Sequence, residues 1–270
     1  MDRQSINQSG DYVRAKKFLG QHFLTDHNIA RKIVSSLAEG TENVLEIGPG
    51  MGVLTQFMHN VQALNLKIVE IDHESVAFLE RNFPDLQGKI LNQDFLKLPL
   101  NEVFDKQFAI IGNFPYNISS QILFRVFEYR NHVNEVVGMF QKEVAKRIVS
   151  GPGTKDYGIL SVLMQAFYTC EFLFSVSEHV FSPPPKVQSG VIRLRRNTTA
   201  SLSCDEALFV KVVKAGFNQR RKTLRNALSS FSIQRNPQID ELLTLRAETL
   251  GVGEFIALTN AVGLSPELLL

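Results

Sequence analysis

The chain of 270 residues carries a net charge of +2 with 44% hydrophobic and 21% charged side chains, which excludes a largely disordered chain and allows one well-buried domain plus a small appendage. Two widely separated cysteines, Cys170 and Cys204, exclude a disulfide framework and a zinc site, so no metal is expected. The first twenty residues hold no apolar signal core, and the most apolar stretch, 158–176, is interrupted by Gln165 and Glu171; no membrane partner and a cytoplasmic location are expected.

In chain order, residues 1–25 read as a mobile basic arm carrying Arg14, Lys16 and Lys17. Asp26 is placed to cap a helix with Ile29, Ile33, Val34 and Leu37 on one face. A strand over 43–47 leads into the turn Gly48-Pro49-Gly50-Met51-Gly52, and Val53, Leu54, Phe57, Met58 and Val61 follow at helical spacing. The pattern repeats with strands expected over 67–71, 89–92, 108–111 and 134–140, and helices over 73–81, 119–129 and from Lys142. Such alternation predicts a parallel sheet covered by helices on both faces, a Rossmann-like α/β domain over 26–197. After Tyr157 comes a helix over 159–168, then strands over 172–176 and 190–194 joined by Ser182-Pro183-Pro184-Pro185. That loop is too short for a crossover helix, so the final strand should run antiparallel. Residues 195–203 form a polar linker, and 203–270 reads as a small all-helical domain.

Ligands of open parallel sheets sit at the carboxyl ends of the strands. Gly48, Glu70, Asp94 and Asn113 all fall there. The glycines admit a ligand close to the backbone, and an acid after the second strand is placed for ribose hydroxyls. Pro49 removes an N–H from the turn and no Lys-Ser/Thr pair follows, which disfavours a phosphate cradle. S-adenosyl-L-methionine, with ribose and adenine but no phosphate, meets those constraints.

Asn113-Phe114-Pro115-Tyr116 follows an apolar strand and should stand at the rim of the same pocket. An exocyclic adenine amine is a poor nucleophile because its lone pair is delocalised into the ring. The Asn113 oxygen and the carbonyl of Phe114 or Pro115 are acceptors able to draw that nitrogen towards tetrahedral geometry. Pro115 stiffens the turn and Tyr116 offers a stacking face. A stacked base must first be flipped out, and Phe181 is a candidate second wall for it. Farther on, Lys211, Lys214, Arg220, Arg221, Lys222 and Arg225 occur with no acidic residue among them, the pattern of a phosphate-binding stripe.

These residues resemble a known family. Lys17-Phe18-Leu19-Gly20-Gln21-His22-Phe23-Leu24, Glu46-Ile47-Gly48-Pro49-Gly50, Asn113-Phe114-Pro115-Tyr116-Asn117-Ile118-Ser119, Gln141-Lys142-Glu143-Val144, Phe181-Ser182-Pro183-Pro184-Pro185-Lys186-Val187 and Phe217-Asn218-Gln219-Arg220-Arg221-Lys222-Thr223 are similar to the KsgA (RsmA) family of small-subunit ribosomal RNA adenine dimethyltransferases. The resemblance spans 17–228. It implies N6,N6-dimethylation of two adjacent adenosines near the 3′ end of 16S ribosomal RNA, a pre-30S particle as partner, a role late in small-subunit assembly, and action as a monomer. By position it assigns cofactor contacts to His22, Leu24, Gly48, Glu70, Asp94 and Asn113; the RNA contacts expected from the residues themselves are Phe181, Arg220, Arg221, Lys222 and Arg225. The chain departs from the family's usual Asn at His22 and its usual Leu at Phe114. A methyltransferase acting on large-subunit RNA would share the pocket, but segment 218–223 favours the small-subunit enzyme. A non-catalytic RNA-binding factor of the same fold would not need the intact Asn113–Tyr116 turn.

Overall fold

A computed structural model of the protein describes residues 12–263. Its strands are β1 (Phe23–Leu24), β2 (Asn43–Ile47), β3 (Asn65–Val69), β4 (Ile90–Leu91), β5 (Phe108–Asn113), β6 (Val133–Gln141), β7 (Tyr168–Val176), β8 (Phe181–Ser182) and β9 (Ser189–Arg196). Seven of them form one sheet in the order β4-β3-β2-β5-β6-β9-β7, while β1 and β8 pair separately. Pairing is parallel from β4 through β6; β9 runs antiparallel and lies between β6 and β7. The expected antiparallel final strand is therefore present, inserted into the sheet rather than added at its edge. Burial explains the placement. Strands β5 and β6 are buried on both faces, as central strands must be, whereas β7 mixes buried, half-buried and exposed positions as an edge strand does.

Helices α1 (His27–Val34), α2 (His73–Asn82), α3 (Ser119–Glu128), α4 (Lys142–Val149) and α5 (Ile159–Phe167) accompany the sheet. Beyond it lie α6 (Glu206–Asn218), α7 (Leu224–Ala227), α8 (Pro237–Thr244) and α9 (Val252–Ala261). Local chemistry sets several of their starts. Asp26 Oδ1 accepts the amides of Asn28 and Ile29 at 2.8 and 3.0 Å, and Asp205 accepts that of Leu208 at 2.8 Å. Asn236 caps α8 ahead of Pro237, a residue with no N–H to leave unpaired in the first turn.

Three expectations need correction. Residues 53–61 do not form an α-helix: they run as turns around a short 3-10 segment, Thr55–Phe57. Gly52 has φ +77°, and side chains compete for the backbone, with Gln56 Nε2 donating to the Val53 carbonyl at 2.9 Å. Leu54 and Met58 are nonetheless buried, while Val61 is exposed. Strand β3 ends at Val69, which leaves Glu70 and Ile71 beyond it rather than within it.

The expected basic arm, 1–25, falls partly outside the described residues, and its described part does not stand free. Val13 is buried, Lys16 Nζ pairs with Asp72 and lies 3.1 Å from Glu74, and β1 pairs with β8. Ion pairing and strand pairing hold this segment on the sheet domain.

The chain leaves the sheet at Arg196, one residue into the expected linker. Helices α6 and α9 pack on α5, and one continuous apolar cluster joins Leu160, Leu163 and Phe167 to Phe209, Val213 and Phe255. Phe217 bridges the two parts, edge-on to Tyr157 at 6.0 Å and stacked on Phe255 at 5.9 Å. Among the described residues no helix is long and apolar enough to cross a membrane.

Candidate active site

The carboxyl ends of β2, β3 and β5 open into a cleft, the place where open parallel sheets bind ligands. The turn after β2 forms one wall. Gly48 and Gly50 adopt φ +62° and +57°, left-handed values that glycine tolerates without a Cβ penalty. A side chain on Gly50 would also collide with the Phe23 ring, 2.6 Å from an added Cβ. Phe23 thus lies on the Gly-rich turn and brings the segment 19–23 over the cleft.

Glu70 is fixed in the adjacent wall. Its Oε2 accepts the Gly50 amide at 3.2 Å and its Oε1 the Asp72 amide at 2.9 Å, and the side chain is buried. Burial pushes its carboxyl above the ordinary range, and the two amide hydrogen bonds oppose that rise. Ile71 follows, apolar and 48% exposed, as a shelf facing the cleft. Asp94 lines the far side and caps a 3-10 turn by accepting the Leu96 amide at 3.0 Å, with Phe95 beside it. Among the described residues the cleft lining includes no Lys or Arg.

At the opposite lip the turn after β5 presents Asn113, Pro115 and Tyr116. Asn113 Nδ2 donates to the His22 carbonyl at 2.8 Å. A carbonyl only accepts, so this bond fixes which end of the amide is which and leaves Oδ1 as the open acceptor. Of the two backbone carbonyls considered for the second acceptor, that of Pro115 already receives the Ile118 amide at 3.2 Å; that of Phe114 has no partner among the described residues. The Tyr116 hydroxyl is 2.6 Å from Ser189 Oγ, and burial pushes the phenol upward while the serine contact opposes it. His22 Nδ1 lies 2.8 Å from the Pro183 carbonyl oxygen and therefore carries a proton; its ring faces Tyr116 at 5.6 Å, tilted by 30°.

The structure thus brings His22, Gly48, Glu70, Asp94, Asn113, Pro115 and Tyr116 to one cleft. Two expected residues lie elsewhere. Leu24 is buried behind the cleft, lining a smaller neighbouring cavity with Glu46 and Leu54, while Phe23 takes the position on the main wall. Phe181 is 4% exposed, packed in the core opposite Leu24 across the β1–β8 pair, and does not line the cleft. The alternation of β1 and β8 turns these side chains inward, so Phe181 offers no face to a base here. Ile71, Gln93 and Phe95 were missed from sequence, since they read as ordinary strand-end or turn residues. Each sits beside an expected residue, Ile71 by Glu70 and Gln93 and Phe95 by Asp94, as Phe23 sits beside Leu24.

The basic segment splits in two. Lys214 Nζ sits 5.1 Å from the Phe124 ring centre. Arg220 donates to the Lys155 carbonyl and has Nε 3.9 Å from Glu248. Arg221, Lys222 and Arg225 are exposed at the break between α6 and α7. Among the described residues no group of His, Cys, Asp and Glu is arranged to hold a metal.

A family model for ribosomal RNA adenine dimethylase matches residues 12–250. The ribosomal RNA small subunit methyltransferase A of Cytophaga hutchinsonii is 57% identical over 250 residues, covering 92% of this chain and 97% of that protein. The protein of the same name in Flavobacterium johnsoniae is 55% identical over 252 residues, covering 93% and 96%. A dimethyladenosine transferase from Plasmodium falciparum has a similar structure, with TM-score 0.72 and 24% identity over 88% of this chain and 96% of that one. The 23S rRNA methyltransferase ErmE gives TM-score 0.67 and 23% identity over 89% and 99%. At those identities the two structures speak for the fold.

Proposed function

The chain belongs to the ribosomal RNA adenine dimethylase family, and from that premise we propose that it transfers methyl groups from S-adenosyl-L-methionine to N6 of two adjacent adenosines near the 3′ end of 16S ribosomal RNA. It does so as a cytoplasmic monomer on a pre-30S particle, late in small-subunit assembly. The observation that carries this reading is the orientation of Asn113. The His22 carbonyl holds its amide nitrogen, so its oxygen is the open end of a side chain that lines the cleft.

The residues fit the cofactor. Glu70 is a buried carboxylate pre-oriented by two backbone amides, suited to the ribose hydroxyls. Ile71 and Phe95 give the adenine apolar faces and Asp94 an acceptor for its amine. When bound, S-adenosyl-L-methionine supplies an electrophilic methyl group on a sulfonium.

On the substrate side, Tyr116 presents its ring to an extruded adenine, with its hydroxyl tethered to Ser189 so that the ring keeps its orientation. Asn113 Oδ1 and the Phe114 carbonyl accept the two amine hydrogens and draw the nitrogen lone pair out of conjugation. Methylation makes that nitrogen cationic, and its proton then leaves readily, so no strong general base is needed. Rate comes from positioning and from acceptors aimed at developing positive charge. The exposed cations Arg221, Lys222 and Arg225 hold RNA phosphates away from the cleft.

Incubation with cofactor and small-subunit particles lacking the modification, followed by mass-spectrometric mapping, tests the proposal. Two adjacent dimethylated adenosines near the 3′ end are expected. Methylation of large-subunit RNA instead would overturn the substrate assignment, and no methylation of either would overturn the activity.

A further inference from the structure

The turn that carries Asn113 rests on an aromatic ring, and the ring rests on two glycines. Gly112 of β5 and Gly138 of β6 are direct partners in the parallel register. Neither has a positive φ, so backbone freedom does not explain them. The missing side chains do. Phe114, two residues beyond Gly112 and so on the same face, is 1% exposed and lays one edge of its ring over each glycine. A Cβ on Gly112 would stand 2.7 Å from both the Ile47 carbonyl oxygen and Phe114 Cε1, so this glycine also admits the neighbouring strand β2. One on Gly138 would stand 2.9 Å from Phe114 Cδ2 and 2.7 Å from Phe140 Cε2. Phe140 meets the Phe114 ring edge-on at 5.1 Å and closes its other exit.

We propose that the Gly112–Gly138 pair sets the height of Phe114 and thereby positions the two amine acceptors, making Gly138 and Phe114 coupled positioning residues for methyl transfer. This rests on the reading of Asn113 and the Phe114 carbonyl as those acceptors. Carbon–carbon contacts settle near 3.5–4.0 Å, so a methyl group at 138 lifts the ring by about 1 Å. The Phe114 amide, bonded to the Met139 carbonyl at 3.2 Å, ties the turn to β6, Asn113 and Tyr116 tie its flanks to His22 and Ser189, and the ring supports it from beneath. Tilting about the Phe114 amide moves the Asn113 side chain and the Phe114 carbonyl together. A displacement of that size at reacting groups costs about a hundred-fold in rate.

The test uses Gly138→Ala, Phe114→Leu and the double variant, each with kcat on unmodified particles and cofactor affinity by calorimetry. Gly138→Ala should lower kcat about ten- to hundred-fold while cofactor Kd stays within about threefold. Phe114→Leu shortens the side chain and vacates the space, so the double variant should recover kcat to within about fivefold of wild type. Losses that multiply in the double variant, or a folded Gly138→Ala with near-normal kcat, overturn the proposal. Should Gly138→Ala not fold, Phe114→Ala carries the test: it should lose about tenfold in kcat with Kd kept, and Phe114→Leu should restore it. Equal kcat for both overturns the coupling. Asn113→Ala is the control; if it retains turnover, the acceptor reading has failed, and if it alone loses turnover, only the glycine-pair inference has.

Discussion

Removing the Glu70 carboxylate should do two separable things. The role proposed for it towards the cofactor, a charge-assisted hydrogen bond to ribose, would contribute about 1.5–3 kcal/mol, so Glu70→Ala should raise cofactor Kd about 10- to 150-fold. Its second role is internal. Oε2 and Oε1 accept the Gly50 and Asp72 amides, and the substitution strands both. Each buried, unpaired amide costs about 1–3 kcal/mol, and water from the cleft that follows into the vacated space reduces the sum. Glu70→Gln separates the roles in part, because its one oxygen keeps one amide while its NH2 faces the other. The variant should therefore bind with intermediate affinity. Calorimetric titration with the cofactor, beside thermal unfolding of the same samples, reads both effects. A folded Glu70→Ala with Kd within about twofold of wild type would refute the ribose assignment. The pH dependence has a definite sign. Burial raises this carboxyl, and the ribose hydroxyls favour its ionised form, so affinity should fall as pH drops through the raised value.

Asn113→Ala should abolish transfer even at saturating cofactor; turnover within a few-fold of wild type would show that the amine is activated in some other way. Glu46 is fully buried and pushed up to about 8 by burial, with Thr55 Oγ1 donating to it at 2.7 Å. Its folded value lies above its unfolded one, so it stabilises the fold at low pH, and that contribution is lost as pH rises towards about 8. Glu46→Gln should give a shallower fall of Tm with pH and a higher Tm near pH 8; an unchanged slope would count against the buried, neutral carboxyl. Replacing Arg221, Lys222 and Arg225 with Gln should flatten the salt dependence of RNA binding by about 0.7–0.9 log–log units per lost phosphate contact. Arg220→Gln should instead lower Tm, because Arg220 is tied to Lys155 and faces Glu248. A basic-triple variant with the salt slope intact would remove this surface from RNA binding.

The sequence showed most clearly what depends on local pattern. Strand–helix alternation, the Asp26 cap and the residues at successive strand ends need only short-range chemistry, and the cleft collects Gly48, Glu70, Asp94 and Asn113 as their positions imply. Less legible was whatever depends on partners far along the chain. The β1–β8 pair joins residues more than 150 positions apart, and it turns Leu24 and Phe181 away from the cleft. The segment after Gly52 has helical spacing in its apolar residues, yet Gln56 and the left-handed glycine impose tighter turns. Phe114 was expected to contribute mainly its backbone. Its ring proves to occupy a notch whose other half, Gly138, sits 24 residues later in an unremarkable run of apolar strand.

The apolar cluster continuous between α5 and the C-terminal helices has a metrical consequence. With Phe217 wedged between Tyr157 and Phe255, the cations near the α6–α7 break and the Asn113 turn belong to one frame, like the anvil and spindle of a calliper locked at a single opening. On the proposed function, an RNA held by those cations would present to the Asn113 turn only nucleotides at that span. Reach would then help select the adenosine, so an RNA folded to a different span should be a poorer substrate even with the same bases.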